Sequence, residues 1–548
     1  MSSSVSTTSI KLSLDESDDE DSSIRSIIHQ HARDGNAEAV EAMLNKRPDL
    51  VNEADIDGMT ALHYAAKYGN LQVVELLLNR GADVDVCENY TKYTPLHMVA
   101  KYGRLGTQHQ KARKESSVSR FIDASFRRAQ SLPESGRDSD GKDVITAIID
   151  LLVKFGAKVD ERDNYDMTPL HHAAQKNNEM GARALVKHGA KVNEVEKNGI
   201  TPLMMACVHG SDALVRLLLS AGADCSTVDK RNNSVYHAAA LHGRDDILQL
   251  LIRYGDTTKE LLWKNNKEGK SPLQMAVDRN HPSTVAIILP LKPAKDPDID
   301  ADHKWLLHKA AEKGYLEVVK TLIQHGYDVR LKNGELRLPL HVAAQANKGE
   351  VVRYLLQLAR DCIDEQDDYG MTPFLRAVSM NALDAVKVLV ENHTDILFTD
   401  PDGRSAVYIG AKYNAVDVLL YLMDIYRLRQ ADEGDSYPDV VNLPDHTQDT
   451  PMHLVCHTGY MEMVTLLHEH GARIDVMNED EEIPLHGAAA YGQTACVRQL
   501  LEWDKRLVMH RDENSETPLH FAAKNGASSH SSTAEKILVQ SLFKPQVY

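Results

Sequence analysis

Nine histidines recur at one place in this chain: His63, His97, His171, His237, His308, His341, His453, His486 and His520. Most close a Thr-Pro-Leu-His-like tetrapeptide. Imidazoles can ligate metals, move protons or join two polar groups through their two nitrogens. One histidine per copy, with stacked helices about 8–10 Å apart, is too widely spaced for a shared metal. The pattern therefore predicts hydrogen-bonded links from one copy to the next. His453 and His457 stand four apart around Cys456, but no HExxH or paired-cysteine spacing supports zinc there. Asp298, Asp300 and Asp302 begin like a calcium loop. His303 occupies the position that needs glycine, and Lys309 the one that needs glutamate. That stretch reads as an acidic loop, and no metal is expected.

Six cysteines in 548 residues make no disulfide framework, and none has a CxxC partner. Cys207 and Cys456 take the place that Ala66 holds in the first clear copy, so they read as small buried residues. Cys87 and Cys225 fall in hairpins and are expected to be exposed. Carboxylates are spread rather than gathered, and no glycine-rich phosphate loop or nucleophile–base set is present. Neither enzyme activity nor a cofactor is expected.

Two features suggest contact with partners. Tyr165 (DNYDMTPL) and Tyr369 (DDYGMTPF) stand at hairpin tips, where an aromatic ring either anchors a partner or is a tolerated surface residue. The stretch from Arg104 to Lys142 carries Arg113, Lys114, Arg120, Arg127 and Arg128. Phe121, Ile122 and Phe126 share one face if this stretch is helical. It reads either as a basic amphipathic helix for calmodulin or anionic lipid, or as a solvated loop folding back on an acidic protein. Ser116 and Ser131, preceded by basic residues, are candidate phosphorylation sites.

The elements that must position these residues are copies of one unit, seen first in DGMTALHYAAKYGNLQVVELLLNRGAD from Asp57 to Asp83. Thr60 is placed as a helix N-cap, and where a copy keeps proline next, it fills the first helical position. Ala65 and Ala66 keep the first helix slim, and Gly69 ends it. Val73, Val74, Leu76, Leu77 and Leu78 give the second helix one broad apolar face. About fourteen such units follow, from Ser26 through Thr60, Thr94, Thr168 and Thr201 to Thr450, Ile483 and Thr517, most of them 33 or 34 residues apart. One unit cannot bury its apolar face alone, so the units must stack.

This period with its T-P-L-H-x-A-A core resembles the ankyrin repeat. The resemblance implies an all-α solenoid of helix-turn-helix units joined by hairpin loops, a curved elongated rod of about 110–140 Å. The expected organisation has a disordered, acidic and Ser-rich tail over 1–23 and repeats over 24–103, the first degenerate. A basic insertion over 104–142 follows, then repeats over 143–526 with a loop insertion near 427–446. An incomplete last repeat or tail covers 527–548. A formal net charge of −18 argues against nucleic acid as a partner. No run approaches the roughly 18 apolar residues of a membrane span, and the N-terminus lacks a signal-peptide core. A cytoplasmic chain is expected, or one at the cytoplasmic face of the plasma membrane.

Ala488 to Gly526 (AAAYGQTACVRQLLEWDKRLVMHRDENSETPLHFAAKNG), with the units from Asn442 before it, is similar to the later repeats of transient receptor potential cation channels of subfamily A. The resemblance implies the cytosolic sensing and interaction region of a tetrameric, calcium-permeable channel, as a short form or fragment without the pore. Its expected partners are proteins, including full-length channel subunits and calmodulin, with membrane contact only indirect. The alternative is a free cytosolic adaptor. In that family the electrophile-sensing cysteines lie in a linker beyond the repeats, so the cysteines here do not inherit that role.

Overall fold

The computed structural model describes residues 18–103, 143–209, 211–254, 259–293, 301, 303–524 and 531–543. They fall into two compact units, Met1–Lys292 and Pro293–Tyr548. Within each, the building block is a short inner helix, a tight turn, an outer helix and a hairpin. Ala61–Tyr68 and Leu71–Asn79 are one such pair. Inner helices stack on inner helices and outer on outer. No strand forms among the described residues, and the hairpins carry only two isolated bridges, Ala54 with Thr60 and Val228 with Ser234. The architecture is an all-α solenoid.

Thr60 takes the extended conformation of an N-cap, and Pro95 and Pro169 begin their helices. Gly69 ends its helix with φ of 73°. Helices of seven to nine residues do not persist alone in water, so packing holds them. Ala65 and Ala66 are fully buried, letting neighbouring inner helices approach. Val73, Val74, Leu77 and Leu78 are buried from the outer helix, at about 1.5–3 kcal/mol each. Leu76, expected on that face, is only half buried.

Four expectations need correction. A helix spans Asp18–Asp34, entering the stretch expected to be disordered. The stretch 427–446 is helical in its first half and loop only in its second. The outer helix runs on as Val416–Glu433, and Tyr426 is buried with its hydroxyl donating to Ile396 O at 3.1 Å. Only then does the chain turn back, burying Tyr437, Val440 and Val441. After the last inner helix, Ser531–Phe543 forms a full helix with Ala534 and Leu538 completely buried, where a loose one was expected. Cys225 is buried although it lies in a hairpin, because the hairpin's inward side packs on the stack. Several hairpins also begin with a 3-10 turn, as at Pro48–Asn52, Arg360–Cys362 and Lys505–Met509.

Candidate functional site

The hairpins carry a repeated backbone device. Asp55 accepts the N–H of Asp57 and of Met59, both at 2.9 Å. Asp163 does the same for Tyr165 and Met167 at 2.7 and 2.9 Å, and Asp367 for Tyr369 and Met371 at 3.0 and 3.1 Å. Asn266 and Asn478 serve with their amide oxygens. Each clamp leaves the residue two places on projecting from a fixed turn. At the Tyr369 tip the next residue, Gly370, has φ of +68°, and a Cβ there would come within 2.2 Å of Pro401. Only glycine fits.

Adjacent tips are joined by single backbone bonds. Asn89 N–H donates to Asp57 O at 2.9 Å, Asn164 to Thr91 O at 2.9 Å, and Lys197 to Tyr165 O at 3.0 Å. Asp368 donates to Glu335 O at 3.0 Å in the second unit. Beneath the tips runs the histidine row. His63 Nδ1 accepts the Thr60 N–H at 3.1 Å, which leaves Nε2–H to donate to Tyr93 O of the next hairpin at 3.0 Å. His97, His171, His237, His308, His341 and His453 reach Met167, Ile200, Lys270, Arg337, Met371 and Glu482 carbonyls at 2.9–3.2 Å. Burial pushes His97, His171 and His341 down to about 4. These rings are neutral links at neutral pH, and a second ring proton would face the N-cap N–H.

The tips are thus rigid, and they overhang the inner helices to make grooves. In the first unit a cavity of about 860 Å³ is lined by His29, Arg33, Ile56, Asp57 and Tyr64. Another of about 480 Å³ lies among Met204, Met205, Arg231, His237 and Met275. In the second unit, Tyr369, Arg376, Arg404, Lys412 and Tyr413 line about 380 Å³.

Both tyrosines read from the sequence are exposed, Tyr165 at 56% and Tyr369 at 60%. They lie in different compact units. Tyr90, 70% exposed, holds the equivalent tip position two residues after Glu88 and went unremarked in the sequence. The acid–x–Tyr signal is present, but this hairpin carries one extra residue before its Thr94 cap, which hides the alignment. The residues of the basic insertion, including Arg113, Lys114, Arg120, Phe121, Ile122, Phe126, Arg127 and Arg128, and the serines Ser116 and Ser131, lie outside the described residues.

The thiols are poor nucleophiles. Cys207 and Cys456 are fully buried, and burial pushes both thiols up, as it pushes Cys225 up to about 11. Among the described residues, no group of His, Cys, Asp and Glu is arranged to hold a metal ion. The arrangement offers rigid grooves and presented aromatic rings.

Family and relatives agree with this geometry. A family model described as ankyrin repeats (3 copies) matches in overlapping stretches over residues 28–107, 142–303 and 307–544. The chain is 39% identical over 537 residues to the transient receptor potential cation channel subfamily A member 1 homolog of Caenorhabditis elegans, covering 94% of this chain and 42% of that protein. It is 27% identical over 173 residues to the human subfamily A member 1 channel, covering 31% of this chain and 15% of that one. Mouse Synphilin-1 is 27% identical over 165 residues, covering 30% of this chain and 16% of its own length. The chain thus spans about two fifths of the nematode relative and less of the others.

Proposed function

This chain belongs to the ankyrin-repeat family, and from that premise we propose that it is a non-enzymatic interaction region of the kind found in subfamily A cation channels. In this reading its grooves and tips hold protein partners, among them full-length channel subunits, at the cytoplasmic face of the plasma membrane. There it bears on calcium entry and sensory transduction. Among the described residues no helix is long and apolar enough to cross a membrane. The observation that carries the reading is extent: 39% identity sustained across 94% of the chain, including regions outside the TPLH core. A rigid row of tips over a stack whose units contact only near neighbours can also open locally, which suits an input-responsive element.

The test is co-expression of this chain with a full-length subfamily A channel. The expected result is co-purification and a changed agonist-evoked current; a chain that neither co-purifies nor alters the current sinks the reading. A second reading, a free adaptor, is favoured by the partial similarity to Synphilin-1. Recovery of a stable partner set in cells without such a channel would support it. The insertion at 104–142 is proposed to bind calmodulin through Arg113, Lys114, Arg120, Phe121, Ile122, Phe126, Arg127 and Arg128, with Ser116 and Ser131 as phosphorylation sites that weaken that binding. Calcium-dependent retention on calmodulin resin should vanish when 104–142 is deleted. If the intact chain is not retained, the proposal fails.

A further inference from the structure

Three cations near the N-terminus are held by aromatic rings instead of carboxylates. Arg33, Lys67 and Lys101 sit at the ends of three successive inner helices, Asp18–Asp34, Ala61–Tyr68 and Pro95–Tyr102. The Arg33 guanidinium lies over the Tyr68 ring at 5.2 Å. Lys67 Nζ lies 5.8 Å from the centre of Tyr68 and 5.2 Å from that of Tyr102. Lys101 Nζ lies 5.4 Å from Tyr102 and 4.4 Å from Tyr93, whose hydroxyl oxygen accepts from it at 2.6 Å. Among the described residues, none of the three cations is within ion-pair distance of a carboxylate.

Two of the carboxylates beside this row, Asp55 and Glu88, are already engaged. Asp55 accepts two backbone amides and the Tyr64 hydroxyl at 2.7 Å. Glu88 accepts the amides of Tyr90, Thr91 and Tyr93. Rings preorganise the cations, and the cation–π contacts leave their remaining N–H groups free to donate. Above the row, Ile56 and Tyr90 project from the tips, and Ile56 shares one cavity with Arg33.

We propose that this row binds an acidic segment of a partner protein in the polyproline II conformation, with a carboxylate at every third residue. Stacked helices set the cations about 8–10 Å apart. A polyproline II chain repeats every three residues at about 3.1 Å each, placing same-face carboxylates about 9.3 Å apart. An extended β-strand repeats its face at about 6.8 Å and falls out of step. Aromatic ridges one repeat apart are also what polyproline II ligands dock between. The inference rests on the protein-binding reading above and names the class of partner for one groove.

The test uses the full chain and a fluorescein-labelled peptide of repeated Asp-Pro-Pro, followed by fluorescence anisotropy at two salt concentrations. Expected are salt-sensitive binding, roughly tenfold weaker binding of a peptide of the same composition with its aspartates bunched, and a further loss of about tenfold or more in Lys67→Glu/Lys101→Glu. Lys387→Glu should bind like the parent: that lysine lies over Tyr421 at 5.8 Å and belongs to the second unit. Circular dichroism melting checks that each variant folds. Binding indifferent to spacing overturns the proposal. So does preference for a helical peptide with acids every seven residues, or equal capture of phosphatidylserine vesicles through the same two lysines. A chain that still associates with channel subunits but ignores the peptide overturns this inference and leaves the interaction reading standing.

Discussion

The tips bearing Tyr165 and Tyr369 share a backbone and differ in what stands behind them. In both, a buried aspartate clamps the turn with one oxygen. The other oxygen of Asp163 accepts from His172 Nε2 at 2.8 Å, and both side chains are almost fully buried. The other oxygen of Asp367 accepts from Arg376 Nε at 2.7 Å and from Arg337 Nε at 3.3 Å. Those two guanidiniums then lie against the Tyr369 ring, at 5.1 and 6.0 Å from its centre. The fifth residue counted from the Thr cap, His172 or Arg376, thus decides the character of the tip. Histidine makes the support titratable; arginine makes it permanently charged and lends the ring a cationic backing. One scaffold presents the same tyrosine in two electrostatic settings.

Acid should separate the two tips most strongly. The Tyr165 tip rests on His97 and His171, both depressed to about 4, and on His172, also lowered by burial. The Tyr369 tip rests on His341 alone, depressed to about 4. A histidine whose folded pKa lies below its unfolded value takes up its proton on unfolding. Its contribution is complete above the unfolded value of about 6.5 and is lost as pH falls toward 4. At pH 5 a ring whose folded value is about 4, as for His97, His171 and His341, has given up about 2 kcal/mol. Hydrogen exchange at pH 7 and pH 5, corrected for intrinsic rates, should therefore show the Met167 amide losing about twice the protection free energy of the Met371 amide. Equal losses would mean that neither the extra histidine of the row nor His172 contributes to the acid response.

Removing the aspartate charge reverses the ranking. Asp367→Asn keeps the turn clamp but strips Arg376 of its counter-charge and leaves Arg337 only Glu335, and local stability should fall by about 2–3 kcal/mol. Asp163→Asn leaves a neutral imidazole with an amide oxygen, at a cost of about 1 kcal/mol. Urea titration followed by exchange at the two tips measures both. If the two substitutions cost the same, Arg337 and Arg376 do not depend on that carboxylate.

Much of this comparison was legible before any coordinates. A His at the fourth place of nine of the units, in most of them with a Thr or Ser cap before it, points to a ring bonded both to its own cap and to the next hairpin. The Tyr165 and Tyr369 positions follow from the acid two places before them. Other features need the stack itself. Arg337 reaches Asp367 across thirty residues, a contact that only the register of neighbouring units brings about. Cys225 looked exposed because a hairpin was equated with surface, although one side of each hairpin is core. The stretch after Tyr426 looked like a loop because it is polar, yet Arg427, Leu428, Arg429, Gln430 and Ala431 are all good helix formers. With Tyr426 buried one turn earlier, the helix had no reason to stop.

The smallest expected effect on stability is the one that speaks to function. Tyr165→Leu removes an exposed ring over which no cation sits, so stability should change by no more than about 0.5 kcal/mol. Tyr369→Leu forfeits the packing of two guanidiniums on the ring, worth about 0.5–1 kcal/mol. If the tips are contact residues, each substitution should weaken a partner that docks on its own groove far more than it weakens the fold, because a rigid, exposed aromatic ring is a typical anchor. Partner retention is measured for both variants against the parent chain, with melting curves alongside. A partner lost with Tyr369→Leu and kept with Tyr165→Leu would identify the arginine-backed ring as the anchor, which the difference between the two supports predicts. Retention unchanged in both would make the tyrosines ordinary surface residues, and the distinction between the tips would then be one of stability alone.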